Sequence, residues 1–319
     1  MAKKRLDQLP PYTSWVIASL LACLMLVGLF FGLKHLAEKF ESEIIARDKA
    51  RSASFKSLNE RRAERIARAH KDREKEAETS TEVATKRRSA NTVYWSYEGS
   101  TGPLDWATLS PDYIACSKGK RQSPVDLTDA ATTPSLPPVA FNYTTTELAL
   151  ENNGKSIISK VKDKNSHLVF QEKRYKLTLV SFHTPSEHYL DGAPYDLEIQ
   201  FHHTDKNGNM VKVGVFLEAS GQTNKAIEKF WNEIPFNRGE KAPSIRLNPE
   251  VFLPFKRRYF HYSGSETTPP CEEGVTWIVL DQPVVISIRQ LDKFREVIKQ
   301  NSRPVQPSMG RSIKKSRVY

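Results

Sequence analysis

Four of the eight histidines of this 319-residue chain lie within the 30-residue stretch KLTLVSFHTPSEHYLDGAPYDLEIQFHHTD, Lys176 to Asp205. The stretch predicts two neighbouring strands with polar residues at alternate positions. Residues i and i+2 of a strand face the same side, so imidazoles placed this way can converge on one point. Imidazole is the commonest metal ligand, and this pattern therefore raises the question of a metal site. The four histidines are His183, His188, His202 and His203.

The elements that must position these side chains are mostly strands. From about Thr92, short β-branched and aromatic runs such as HLVFQEKRYKLTLVSFH and VTWIVLDQPVVIS alternate with turn residues, a texture typical of a β-rich domain. Two segments, TNKAIEKFWNEI and SIRQLDKFREVIKQ, have helical patterns instead. The sequence therefore predicts a mainly β (α+β) domain with few short helices.

The N-terminal region has a different composition. Residues 14–33, SWVIASLLACLMLVGLFFGL, are uncharged and long enough at ~1.5 Å per residue to span a bilayer as a helix. They predict a single-pass anchor; the alternative is a cleaved signal peptide, against which the run is too long and lacks a small-residue cleavage site. The basic flanks leave the orientation locally ambiguous, but the short tail of residues 1–13 is favoured as the cytoplasmic side.

Residues 34–78 contain no Gly or Pro and are rich in Ala, Glu, Lys and Arg, which predicts a charged helical stalk. Its thin apolar stripe leaves two interpretations open, a solvated stalk or a helix that docks on a partner. A polar linker over 79–91, a folded domain over 92–310 and a basic tail over 311–319 complete the organisation. The net charge of +11 lies in the flanks rather than in the folded domain, so we expect no nucleic-acid partner.

Several ordered segments of the folded domain resemble the alpha-class carbonic anhydrases. They include YWSYEGSTGPLDW, GKRQSPVDL, ENNG, FHTPSEH, VGVFLEAS, YSGSETTPPCEEGVTWIVL and NSRPVQPSMGR, between Tyr94 and Arg311. The resemblance implies a central, twisted, largely antiparallel sheet of about ten strands with a conical cleft; function still has to be argued from the site.

The resemblance also implies a disulfide. In bacterial members of this family, a cysteine before QSP pairs with the cysteine of TTPPC. Those positions are Cys116 and Cys271 here, and a disulfide between them implies an oxidising compartment; the alternative is two separate thiols. We therefore expect the folded domain in the bacterial periplasm or an equivalent oxidising lumen.

The resemblance also implies three zinc-binding histidines, and it places them at Ser181, His183 and Gln200. Only one imidazole is present at these positions, whereas catalytic zinc needs three good protein donors and an open position. We therefore expect no metal and no cofactor. The alternative is a rebuilt site using His183 together with His202, which faces the same side of its strand as Gln200.

The implied carbon dioxide pocket is altered in the same way. Trp277 is retained, while His202, Lys212 and Glu266 replace apolar residues. An unpaired buried charge is costly, so we expect Lys212 and Glu266 to form an ion pair in the cleft. The implied proton-shuttle position is Lys155, which cannot relay protons near neutral pH at a reference pKa of about 10.4.

Three further positions match family residues that support the zinc site. Glu187 and Thr267 match the pair that orients the zinc-bound hydroxide, and Glu198 matches the partner of the third ligand. Without a metal, we expect these groups to be vestigial, serving as buried hydrogen-bond partners.

These losses predict a catalytically inactive domain that serves as a structural, assembly or recognition subunit of a membrane complex. Its expected partners are other subunits, contacted through the membrane span, the stalk and the domain surface. Two alternatives stay open: an active carbonic anhydrase with a rearranged zinc site, and an anion or polysaccharide receptor using the basic clusters KRRYFH and RSIKKSRVY.

Overall fold

The computed structural model describes residues 93–128, 130–133, 136–163 and 165–317. The predicted N-terminal tail, membrane span, stalk and linker (1–91) lie outside these described residues. Within the described ranges, no helix is both long and apolar enough to span a bilayer.

The described residues fold around one large β-sheet. Twelve strands form this sheet, ten of them in the order β1-β14-β12-β13-β10-β9-β6-β4-β3-β11, while β2 pairs with β5 and β5 with β6. Two further strands, β7 and β8, form a separate hairpin. The strands are β1 (Ala131–Thr132), β2 (Ala140–Asn142), β3 (Thr146–Asn152), β4 (Ile157–Val161), β5 (His167–Phe170), β6 (Lys173–His183), β7 (Tyr189–Leu190), β8 (Ala193–Pro194), β9 (Leu197–Thr204), β10 (Met210–Ala219), β11 (Ile245–Leu247), β12 (Tyr259–Ser265), β13 (Glu273–Ile286) and β14 (Lys314–Lys315).

The predicted mainly β fold is confirmed, with a mixed sheet. Pairs β10–β13 and β1–β14 are parallel, and the other ladders are antiparallel. The sheet exceeds the expected ten strands because edge strands of two or three residues, too short for an alternation pattern, join it.

Four α-helices occur in the described ranges: α1 (Trp106–Leu109), α2 (Ala115–Lys118), α3 (Lys225–Asn232) and α4 (Ile288–Val297). The last two confirm the helical segments predicted from sequence. Asn224 caps α3, and Ser287 with Gln290 forms a capping box on α4, satisfying backbone N–H groups that lack partners at a helix start. Three short 3₁₀ turns cover Gly99–Thr101, Pro111–Tyr113 and Pro249–Phe252.

The core lies on both faces of the central strands. Every residue of β9 from Leu197 to Phe201 is buried, because the sheet is covered on each side of this strand. The aromatic cluster on one face centres on Phe182, which lies within 6.2 Å of the rings of Phe230, Trp231 and Phe252. This packing holds β6 and β9 in register, and those are the strands that carry the predicted site.

The predicted Cys116–Cys271 disulfide is present. It lies in a small cluster with Trp106, and the guanidinium of buried Arg303 donates to the Cys116 carbonyl over 2.7 Å. The bridge closes a sequence separation of 155 residues, and such bonds persist in oxidising compartments.

Candidate functional site

The β6–β9 register brings four polar side chains onto one face of the sheet. Ser181 on β6 lies directly opposite Gln200 on β9. His183 and His202 are each two residues further along their own strands and therefore share that face. The parity argument that placed His202 beside the three family positions is confirmed.

Two imidazoles converge on one hydroxyl. The Ser181 Oγ lies 3.3 Å from His183 Nε2 and 2.9 Å from His202 Nε2. His183 Nδ1 lies 2.9 Å from the backbone carbonyl of Asn301. Because a carbonyl only accepts, Nδ1 carries a proton and donates to Asn301, so Nε2 is the ring nitrogen that faces Ser181.

His202 is held neutral by its surroundings. Burial lowers its pKa well below the usual value of a histidine, and the charges of Lys212 and of the neighbouring histidines lower the pKa further. A neutral imidazole is the form that binds a metal ion, so His202 is in the state that a metal requires.

Gln200 has one satisfied and one unsatisfied end. Its Nε2 donates to Glu187 Oε2 over 2.7 Å and to Glu198 Oε1 over 3.2 Å. These carboxylate acceptors fix the orientation of the amide, since only its nitrogen can donate. The buried Oε1 is left without a hydrogen-bond partner among the described residues.

Lys212 lies directly opposite His202 on β10 and is 1% exposed. Its ammonium forms the predicted ion pair with Glu266, whose side chain is 19% exposed at the border of the cleft. The ammonium also lies 5.4 Å from the centre of the Trp277 ring, the retained position of the pocket. The cleft therefore contains a buried cation close to the two imidazoles.

A second polar group includes a residue that the sequence analysis did not assign, His188. Its Nδ1 lies 2.8 Å from Glu198 Oε1, and its Nε2 lies 2.6 Å from the Tyr262 hydroxyl. Burial alone would raise the pKa of Glu198, but the charge and hydrogen bonds of His188 outweigh burial and lower that pKa. In the sequence, His188 directly follows FHTPSE, but it lies beyond a turn, so strand alternation could not predict which way its side chain points.

Glu187 and Thr267 are both buried in the cleft, but no hydrogen bond joins them in the described part of the chain. Glu187 instead accepts from Gln200 and from the backbone N–H of Arg303, the latter over 3.0 Å. Its carboxylate therefore orients Gln200, and no structural contact assigns a role to the Thr267 hydroxyl.

Lys155 lies against two aromatic rings. Its ammonium is 3.9 Å from the centre of the Trp95 ring and 5.7 Å from that of Tyr94. Burial, followed by the nearby charge of Arg238, lowers the pKa of Lys155.

The donor set departs from the three imidazoles that the resemblance implies. Ser181 and Gln200 stand at two of the three positions, and in the described ranges no three His, Cys, Asp or Glu side chains are grouped to hold a metal ion. Two imidazole nitrogens and a hydroxyl do converge, however, and the nitrogens are ligands suited to zinc. The donors present at this point are therefore two imidazole nitrogens and one hydroxyl, in place of three imidazoles.

The model of the family described as eukaryotic-type carbonic anhydrase matches residues 101–317 of the chain. A protein of Nostoc sp. named carbonic anhydrase is 38% identical over 230 residues, which cover 70% of this chain and 86% of that protein. One of Neisseria gonorrhoeae with the same name is 35% identical, covering 70% and 88%. The solved alpha-carbonic anhydrase of Thermovibrio ammonificans, in complex with the inhibitor sulfanilamide, is 42% identical with a TM-score of 0.68, covering 70% and 100%.

These similarities correct three expectations drawn from the sequence. The prediction of a catalytically inactive domain, the prediction that the chain is not an enzyme and the prediction of no zinc cofactor are wrong, since relatives at 35–42% identity are named carbonic anhydrase. The expectation of no metal followed from Ser181 and Gln200 at two of the three family positions, with a rebuilt site at His183 and His202 as the alternative. It gave too little weight to His202, which reaches the same point from a neighbouring position.

Proposed function

We propose that the chain, which belongs to the alpha-class carbonic anhydrase family, interconverts carbon dioxide and hydrogencarbonate with a zinc ion held by His183 and His202. The observation that supports this proposal is the approach of both Nε2 atoms to Ser181 Oγ, at 3.3 and 2.9 Å. The names of the relatives support the reaction, and the contacts of Ser181 support the assignment of His183 and His202 to it.

Several residues of the cleft would hold such a site, each through a different contact. The Asn301 carbonyl fixes the tautomer and ring direction of His183, so that Nε2 faces the cleft. Ser181 Oγ contacts the Nε2 atoms of both imidazoles and would be an oxygen donor beside them. When bound by such donors, zinc supplies an activated water whose pKa falls to about 7.

Proton release follows a different route from the one that the resemblance implies. Lys155 occupies the shuttle position and lies against Trp95. We propose that protons leave through buffer or solvent at the opening bordered by His202 and Glu266. We therefore expect the hydration rate to rise with buffer concentration, and the Lys155→Ala variant to retain the wild-type rate.

The direct test combines zinc content with carbon dioxide hydration on the purified full chain. We expect His202→Ala to lose zinc and to lower hydration more than about 100-fold, because a ligand contributes more than the surrounding hydrogen bonds do. His167→Ala is the matched control, since His167 lies on β5 and its Nδ1 contacts the Asn165 carbonyl. A wild-type chain that binds no zinc and does not hydrate carbon dioxide would overturn the proposal.

We also propose that the chain is a single-pass membrane protein with residues 14–33 as its anchor, a cytoplasmic N-terminus and a periplasmic or lumenal folded domain. The uncharged length of that run supports the anchor, and the Cys116–Cys271 disulfide supports the oxidising side. Alkaline washing of membranes tests this proposal: the full chain stays in the pellet, and release into the wash would contradict the anchor.

Partners in the membrane are a further proposal, supported by the charged stalk of residues 34–78 and its apolar stripe. We propose that the span, the stalk and the domain surface contact other subunits of one complex. Cross-linking in intact membranes, followed by purification, tests this. The matched comparison is a chain lacking residues 34–78, which we expect to lose the cross-linked subunits.

A further inference from the structure

The ammonium of Lys212 has fewer acceptors than it has protons. An ammonium carries three N–H donors, yet in the described part of the chain Glu266 is its one hydrogen-bond acceptor. The side chain is 1% exposed, so water has little access to the remaining donors. Buried polar groups are normally partnered, and a buried cation with spare donors indicates an acceptor from outside the chain.

Gln200 presents the opposite deficiency on the same face. Its buried Oε1 has no donor among the residues that the structure describes, while its Nε2 is held by Glu187 and Glu198 and cannot turn to compensate. A buried acceptor without a donor destabilises the fold, so a native site that contains one is a candidate for binding a donor group.

The sheet register places these two groups as neighbours. Lys212 is paired with His202, and Gln200 lies two residues before His202 on the same face of β9. Such diagonal neighbours are roughly 7–8 Å apart at the backbone, within reach of long side chains, so one small anion can contact both. Glu266 and His202 are both partly exposed, so an anion can reach these side chains from solvent.

We propose that this cleft contains an anion site for a small carboxylate-type ion, in which Lys212 binds the charged oxygens directly and without a metal. The Glu266 carboxylate, already paired with the ammonium, shows the chemistry that Lys212 accepts. An external carboxylate would displace Glu266 toward solvent. Hydrogencarbonate carries a hydroxyl as well as charged oxygens, and that hydroxyl would donate to Gln200 Oε1; acetate lacks that donor.

Calorimetric titration of the chelator-treated full chain with acetate and with hydrogencarbonate tests the site. We expect Lys212→Met to weaken both anions about tenfold or more, since a charged hydrogen bond is lost. Glu266→Gln should strengthen both, because it removes the competing carboxylate. Gln200→Leu should weaken hydrogencarbonate and leave acetate unchanged. Lys225→Met, at an exposed position of α3, is the matched control.

Equal acetate affinities for the wild type, Lys212→Met and Glu266→Gln would overturn the inference. Thermal melts confirm that each variant is folded; if Lys212→Met does not fold, the sign of the Glu266→Gln effect decides alone. The site needs no metal, so it is independent of the proposed function. A chain that binds acetate through Lys212 but has no zinc and no hydration activity contradicts the proposed function and supports this inference. An active, zinc-bound chain that does not bind acetate supports the proposed function and contradicts this inference.

Discussion

Two polar groups in the same cleft differ in how completely they are partnered. In the Glu198 network, formed by Glu187, His188, Glu198 and Tyr262, each Glu198 oxygen accepts two hydrogen bonds. In the Lys212 site, formed by Ser181, His183, His202 and Lys212, donors and acceptors converge with spare capacity. Gln200 joins the two groups, with its nitrogen in the first and its oxygen facing the second.

The difference separates what holds the fold from what can bind a ligand. A fully satisfied buried network stabilises one arrangement, because each member lost leaves its partners unpaired. An incompletely satisfied group costs stability and is retained where a ligand completes it. We therefore infer that the Glu198 network stabilises the cleft and that the Lys212 site binds a ligand.

The largest expected effect follows from breaking the Glu198 network. Glu198→Ala removes the acceptor for the backbone N–H groups of Glu187 and His188, for the His188 imidazole and for the Gln200 amide. We expect the free energy of unfolding to fall by about 3–5 kcal/mol, as when one partner of a buried pair is removed. Urea unfolding measures this loss.

Two matched variants sharpen that result. Glu198→Gln keeps the shape and part of the hydrogen bonding, so its loss should be smaller, and Glu228→Ala on the exposed face of α3 should change stability by less than about 0.5 kcal/mol. A loss under about 1 kcal/mol for Glu198→Ala would contradict the structural role of the network.

A smaller effect comes from His203, on the opposite face of β9. Its Nε2 lies 2.8 Å from the Tyr143 hydroxyl, its Nδ1 lies 3.3 Å from the Val211 carbonyl, and burial lowers its pKa to about 3. The unfolded chain binds this proton below a pH of about 6.5 and the folded chain does not, so stability falls as the pH decreases.

Between pH 6.5 and 5 we expect His203 to contribute a loss of about 2 kcal/mol. Denaturant unfolding across this range should show a steeper pH dependence for the wild type than for His203→Gln, which cannot take up the proton. The lowered pKa of His202 also makes the folded chain less stable at low pH. Because the wild type and His203→Gln both contain His202, the difference between their slopes reports on His203. Identical slopes would contradict a buried neutral His203.

The smallest expected change is in the Lys212 site. Lys212→Met replaces a buried cation by an apolar side chain of similar length and leaves Glu266 near solvent. We expect unfolding free energy to change by less than about 1 kcal/mol, or to rise, because apolar replacements of buried ion pairs are often neutral or stabilising. A loss as large as that of Glu198→Ala would erase the distinction between the two groups.

Much of the fold followed from local sequence features. The ordered motifs, the alternation in strands and the two helical segments predicted the mainly β domain, the Cys116–Cys271 bridge and helices α3 and α4. The short strands β1 and β14 were missed because two residues carry no periodicity, and they owe their pairing to β12 and to each other.

The site was harder to predict because its contacts depend on distance and not on residue type alone. Parity placed His202 on the correct face, and charge argued for the Lys212–Glu266 pair, which the structure confirms. Whether His202 reaches the same hydroxyl as His183 depends on the β6–β9 register and on the direction of the side chain. A sequence motif specifies neither of these. That contact was underestimated, and the prediction of an inactive domain followed from it.

The most direct test of the proposed function is the zinc content of the full chain and of its histidine variants, measured by elemental analysis after purification without added chelator. The account predicts about one zinc per wild-type chain, retained by His167→Ala and lost by both His183→Ala and His202→Ala. A wild-type chain without zinc, or a His202→Ala variant with undiminished zinc, would contradict it.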